Sequence, residues 1–285
     1  MLIAFAIGLL VGLAAAAAVA RVTVKRAIAR ARVSERRARS AERLAEIGSM
    51  TSGLAHEIKN PLSTIGLNAQ LLSEAIAELD LPESDRTRLT RRVGALRSET
   101  ERLRGILEDF LQYAGELRLA LRDTDINQLV EELADFFHVQ AQSRAVRIRA
   151  ELAPTPITAR VDPDHLKQAL LNLMLNAVAA MDRPDIAQRE LILRTRAARA
   201  DDNTPIAAIH VIDTGPGIDE DTAAKIFHPY FTTKAGGTGL GLPTARRIAE
   251  AHHGHLDVHT VPGTGTEFCL IVPIEPPTPP STPTA

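Results

Sequence analysis

Cysteine, tryptophan and bulky aromatics are scarce in this chain of 285 residues. A single Cys excludes an intramolecular disulfide and any four-cysteine zinc site, and it fits a reducing compartment. Aromatics make up only 3%, with no Trp and two Tyr, so a core must rely on Leu, Ile, Val and Ala. That composition suits long helices. An excess of one charge is missing too. The 33 basic and 35 acidic residues leave a net charge of -2, which gives no support to nucleic-acid binding. What is present is ordinary for a folded protein: 45% hydrophobic and 24% charged residues exclude a wholly disordered chain. The length suggests two domains.

The near-neutral total hides a local asymmetry. Leu2 to Ala20 is an uninterrupted run of apolar residues and glycine. At about 1.5 Å per residue such a helix spans roughly 28 Å, enough for a bilayer core. Arg21, Lys25, Arg26, Arg30, Arg32, Arg36, Arg37 and Arg39 follow at once, which places the rest of the chain on the cytoplasmic side. A cleaved signal peptide is the alternative, since the Ala-rich end offers cleavage sites. No positive charge precedes the run, however, and the charge behind it opposes export, so a retained single-pass anchor is expected over residues 1–20. No external sensing domain is expected. Residues 21–43 read as a basic helical linker, either solvated or forming a weak coiled coil that rests on anionic lipid.

From Leu44 to Leu79, apolar residues recur at three- and four-residue spacing, and Leu89 to Leu111 repeats the pattern. Asp80-Leu81-Pro82-Glu83-Ser84-Asp85 between them reads as a turn. Two long helices then make an antiparallel hairpin, too shallow to bury both stripes. Pairing two hairpins into a four-helix bundle solves this, so a homodimer is expected. The first helix carries His56-Glu57-Ile58-Lys59-Asn60-Pro61. A lone helical His is ordinarily a surface residue, but neutral imidazole is also a nucleophile near pH 7. Glu57 is placed to accept a proton from the ring. Asn60 lies one turn on and can orient a water.

From about Asp125 the pattern becomes mixed. Helices are expected over Ile126 to Val139 and Asp164 to Met181, and strands over Val146–Leu152, Ile157–Val161, Leu191–Arg196 and Ile206–Ile212. A closing hairpin is expected over Leu256–Thr260 and Glu267–Val272. Helices on one face of a mostly antiparallel sheet make an α+β sandwich. Three glycine clusters punctuate it: Asp213 to Ile218, Gly236 to Leu242, and Gly263 to Thr266. The second leads straight into a helical run over Pro243 to His252, and exposed amides at a helix start bind phosphate. It matches neither the Walker loop nor the dinucleotide fingerprint. Asn172 and Asn176 place two amide oxygens on one helical face, which suits Mg²⁺ when phosphates supply its other ligands. Asp213 ends a buried-looking strand, where a carboxylate can accept from an adenine amino group.

Together these motifs resemble the bacterial sensor histidine kinases of two-component signalling, over roughly Leu44 to Pro273. The resemblance rests on the histidine box Leu54 to Leu62, the asparagine box Asn172 to Ala177, the glycine box Asp213 to Ile218, the aromatic box Phe227 to Phe231, the loop Gly237 to Leu242 and the final box Gly265 to Phe268. The wording around His56, with Thr232-Thr233-Lys234, is closest to the nitrogen-regulation branch. The resemblance implies autophosphorylation of His56 from ATP, with Glu57 as acid/base partner. It implies Mg²⁺ held by Asn176 with help from Asn172, and adenine read by Asp213, Gly217 and Thr266. A mobile lid from Phe227 to Thr238 is implied, as is a phosphate cradle along Gly237, Thr238, Gly239, Leu240 and Gly241, with Gly215 in the first glycine box. Asn60 is implied in dephosphorylating a response regulator, the partner that receives the phosphoryl group on an Asp. The expected location is the bacterial inner membrane. The expected layout is 1–20 span, 21–43 linker, 44–120 dimerisation and phosphotransfer, 121–275 ATP binding and 276–285 disordered Pro-rich tail. One departure stands out: Ala177 to Ala180 lack the basic residue many relatives carry there, and Lys234 is the expected substitute toward the γ-phosphate. Gyrase-, chaperone- and mismatch-repair-type ATPases share the nucleotide fold, but they carry a Glu where this chain has Asn172, and an amide cannot activate water. A tethered scaffold that binds ATP without chemistry is the third reading.

Overall fold

The computed structural model of the chain describes residues 58–186, 188–200, 202–234 and 237–275. The expected membrane span, the basic linker, His56, Glu57 and the Pro-rich tail lie outside these residues. Among the described residues, no helix is long and apolar enough to cross a membrane.

The first described helix, α1, covers residues 58–78, and α2 covers Glu83–Ala114. The turn between them is shorter than the sequence suggests. The Pro82 carbonyl accepts from the amides of Asp85 and Arg86 at 2.9 and 3.0 Å, so the helix starts at the residue after Pro82. Ala69, Ile76 and Val93 are buried, with Leu89 against them. Lys59 and Glu108 form an ion pair across the two helices at 2.7 Å. Many large apolar side chains remain outside: Ile58, Ile65 and Leu72 on α1, Leu79 just after it, and Leu96 and Leu103 on α2 are all at least 40% exposed. They recur every seven residues, the spacing of a seam between helices.

The rest is an α+β sandwich, as the mixed periodicities predict. A five-stranded sheet has the order β2-β4-β5-β7-β6. Its strands are β2 (Arg147–Glu151), β4 (Glu190–Arg199), β5 (Pro205–Asp213), β6 (His255–Val261) and β7 (Gly265–Pro273). Only β2 pairs parallel, with β4; the other neighbours are antiparallel. Alternate residues such as Leu191, Leu193, Ile209, Val211, Phe268 and Leu270 are fully buried, while their neighbours Arg194, His210 and Glu267 stay partly open. Helices α3 (Ile126–Gln142), α4 (Pro163–Met181) and α6 (Gly241–Ala251) contribute the facing half of this core. Two elements had no sequence signal. Strand β1 (Arg122–Asp125) has no apolar alternation and exists through its pairing with β3 (Thr158–Val161). The single-turn α5 (Glu220–Ala223) is set by Asp219, which accepts from the Thr222 amide at 2.8 Å.

The two helices that carry the site are tied together at one end. Asp162 caps α4, accepting from the amides of Asp164 and His165 at 3.0 Å each and from the Ala120 amide at 2.8 Å. Burial pushes its carboxyl up, but the His165 and Ala120 amides and the His165 side chain, 2.9 Å away, prevail and hold it at about 2, against an ordinary 3.8. The Asp162 amide in turn donates to Nε2 of buried His252 at 3.0 Å, and His252 Nδ1 donates to the Ile248 carbonyl at 2.8 Å. That pairing requires neutral imidazole, in keeping with burial lowering its pKa. Asp162→Ala is expected to destabilise the domain by about 1–2 kcal/mol, read as a lower urea midpoint. A group held below its unfolded value contributes above that value and loses the contribution on acidification, so the deficit should shrink as pH falls from 3.8 toward about 2. An unchanged midpoint at neutral pH would contradict this role.

Candidate functional site

A cleft of roughly 870 Å³ opens where α4, the loop after β5 and the start of α6 converge. Helix α4 supplies its two polar residues. Asn172 and Asn176 line the cleft, while Leu170, Leu173, Met174 and Ala177 on the same helix are buried in the core. Helix α6 begins at Gly241, two residues earlier than the periodicity of Pro243 to His252 suggests, so the glycine loop itself forms the helix start. A side chain at position 241 would meet the Asn172 amide at 3.8 Å. That is an ordinary van der Waals contact, so α6 starts in packing distance of α4.

Asp213 closes β5 and is only 4% exposed. Its Oδ1 accepts from the Gly215 amide at 2.8 Å, and the Thr266 amide across the β5–β7 pairing is a second donor. Burial pushes its carboxyl up to about 6, with these two donors and the nearby Lys234 charge pulling the other way. Thr266 is buried, and its hydroxyl lies 3.1 Å from that of Thr260, which also accepts from the Ile218 amide at 2.8 Å. Gly217 lines the cleft with φ +69° and packs against the Val261 carbonyl. Asp213, Gly215 and Thr266 therefore form a wall behind the cleft lining rather than part of it. Leu240 is also enclosed, 1% exposed, and stands behind the cleft lining.

Gly237, Thr238 and Gly239 line the opposite side. Gly239 has φ +69°, and its carbonyl accepts from the Tyr230 amide at 3.1 Å, which binds the glycine loop to the aromatic box. The Arg246 guanidinium lies 5.1 Å over the Phe227 ring at the base of that box. Lys234 reaches across the cleft to Asn176, donating to Oδ1 at 2.5 Å and to the backbone carbonyl at 3.1 Å. The Asn176 oxygen thus sits in an environment that accepts a cation. That fits a residue able to hold Mg²⁺, a hard ion that takes oxygen ligands.

The structure brings together Asn172, Asn176, Gly217, Lys234, Gly237, Thr238, Gly239 and Gly241 around one cleft. Asn60 is not among the cleft residues. It is exposed on α1, and its carbonyl accepts from the Thr64 hydroxyl. Several lining residues escaped the sequence, two charged ones of α2 among them. Arg102 and Asp109 of α2 face the cleft, and the Asp109 carboxylate accepts from the Thr238 hydroxyl at 2.7 Å. A separation of 129 residues leaves no local signal for that pair.

Two family models match the chain. Residues 46–115 match the His Kinase A phospho-acceptor domain, and residues 161–276 match the histidine kinase-, DNA gyrase B- and HSP90-like ATPase domain. The chain carries both domains of a histidine kinase and belongs to the two-component sensor histidine kinases. It is 36% identical over 233 residues to the sensor histidine kinase ZraS of Escherichia coli K12, an alignment covering 82% of this chain and 47% of that protein. It is 34% identical over 243 residues to the kinase AtoS of the same strain, covering 85% and 37%. The chain thus spans about half or less of the length of these curated relatives. Among solved structures, full-length ShkA in complex with AMPPNP superposes with a TM-score of 0.63 at 28% identity, covering 81% of this chain and 47% of that one. The histidine kinase ThkA in complex with the response regulator TrrA gives 0.57 at 28% identity, covering 82% and 64%.

Proposed function

We infer that the chain is a sensor histidine kinase that moves the γ-phosphoryl group of ATP to His56 and then to an Asp of a response regulator. The observation that carries this is the convergence of Asn176, Lys234, the glycine loop and the wall behind them on one cleft, in a chain whose other half matches the phospho-acceptor domain. Asp213 accepts from the adenine amino group, with Gly217 and Thr266 shaping its surroundings. Gly215 gives the loop after β5 its close turn. The amides of Gly237, Thr238, Gly239, Leu240 and Gly241 receive the phosphates at the start of α6. Asn176, with Asn172 beside it, would hold Mg²⁺, which offsets triphosphate charge. His56 attacks the γ-phosphorus in line, the bond to ADP breaks, and Glu57 takes the proton from the other ring nitrogen. Asn60 positions the water that removes the phosphoryl group from the regulator. The solved complexes of ShkA with AMPPNP and of ThkA with TrrA support the nucleotide and the partner.

Three finer readings accompany this one. The exposed seven-residue repeat on α1 and α2 supports a homodimer with a four-helix bundle, which a monomer in sedimentation at micromolar concentration would overturn. The apolar run of residues 1–20 and the basic linker of 21–43 support a single-pass anchor in the bacterial inner membrane, which recovery of the chain in the soluble fraction would overturn. The layout continues with phosphotransfer over 44–120, nucleotide binding over 121–275 and a tail over 276–285, testable by limited proteolysis.

The deciding test for the activity uses the chain with Mg²⁺ and ATP labelled at either the α or the γ position. Label should enter the protein from the γ position only, survive alkali and be lost in acid. Absence of label despite ATP binding would support a scaffold instead.

A further inference from the structure

The ammonium of Lys234 occupies the Asn176 oxygen to which the kinase reading assigns the metal. It is held by two neutral oxygens of that one residue, at 2.5 and 3.1 Å. The Lys234 backbone is pinned separately: its amide donates to the Thr232 hydroxyl at 3.1 Å, and its carbonyl accepts from the Gly237 amide at 3.2 Å. The side chain can therefore swing away without moving the turn it stems from, since four flexible bonds separate the charge from the backbone. Asp213 lies close enough for its charge to act on Lys234, but the contact itself is with Asn176.

We propose that Lys234 is a surrogate cation that competes with the metal for the Asn176 oxygen and is displaced from it by the metal–nucleotide complex. The inference rests on the reading of the cleft as an ATP site. The ammonium at 2.5 Å takes one of the two lone pairs of the Asn176 oxygen and stands where a divalent ion would approach along it. Two cations around one oxygen also repel each other at such short range. Metal and Lys234 therefore compete for the Asn176 oxygen. The surrogate keeps the half-buried Asn176 oxygen satisfied. Its departure frees a positive charge on the cleft wall just as the phosphates arrive. Lys234 is a positioning residue here: it sets how much divalent ion nucleotide binding requires.

The test uses ADP, which lacks the γ-phosphate, so loss of a contact to that group cannot affect the result. ADP binding to the full chain is measured by calorimetry across a Mg²⁺ titration, for wild type and Lys234→Met. Removing the competitor should lower the half-saturating Mg²⁺ concentration by about fivefold or more. A variant that binds ADP with an unchanged or higher Mg²⁺ midpoint overturns the surrogate role and leaves the kinase reading intact. A variant that no longer binds ADP at saturating Mg²⁺ also overturns it, since Lys234 would then be a nucleotide ligand. A wild-type chain that binds no ADP at any Mg²⁺ concentration overturns both.

Discussion

Gly217→Ala is expected to cost the chain at least about thirtyfold in ATP affinity, some 2 kcal/mol or more. Gly217 has φ +69°, a conformation that costs alanine about 1–2 kcal/mol by itself. The added methyl would then lie 2.3 Å from the Val261 carbonyl oxygen and 2.9 Å from Pro262 Cα. These are backbone atoms at the end of β6, which cannot give way as a flexible side chain can. The loop has to move instead, and it is the loop that lines the cleft and continues from Asp213. Equilibrium binding and thermal unfolding separate the two effects. The expected result is a large loss of affinity with a modest drop in Tm. Unchanged affinity would mean that this loop does not shape the nucleotide site.

Asp213 yields the second large effect, with a pH signature. Its carboxyl is pushed up to about 6 by burial. The ionised form already accepts from Gly215 and Thr266 and keeps lone pairs for an adenine amino group. The protonated form gives up an acceptor. Affinity for ATP should therefore be flat above pH 6 and fall below it, approaching about tenfold per pH unit as one proton must be shed on binding. Asp213→Asn has a single acceptor oxygen, which cannot serve both backbone donors and the base. It should weaken ATP about 10–100-fold at pH 7.5, the range of a charge-assisted hydrogen bond, and flatten the pH profile. Wild-type affinity that does not change between pH 7 and 5 would remove Asp213 from adenine recognition.

The legibility of this protein follows how local each signal is. The buried faces of α4 and of β4, β5 and β7 could be read because period 3.6 and period 2 stand out in apolar sequence. The glycine boxes could be read because Gly217 and Gly239 take backbone conformations that other residues avoid. Asn172 and Asn176 stood out as amides in an apolar helix. The parallel pairing of β2 with β4 left no trace, since register between distant strands is set by the whole sheet. Strand β1 and the contact of Asp109 with Thr238 were equally invisible, each resting on partners far along the chain. The basic residue missing after Asn176 was legible, and Lys234 was the replacement expected for it. That the replacement would rest on Asn176 itself was not, because a flexible side chain's partner is decided by the folded cleft.

The central claim is that His56 receives the phosphoryl group. The measurement that tests it most directly is site mapping by tandem mass spectrometry. The chain is incubated with Mg²⁺ and ATP, digested and fragmented under neutral to alkaline handling, beside His56→Gln. The account predicts one phosphorylated histidine, in the peptide that contains His56, and none in the variant. A phosphoryl group on another histidine, or its persistence in His56→Gln, would contradict the account.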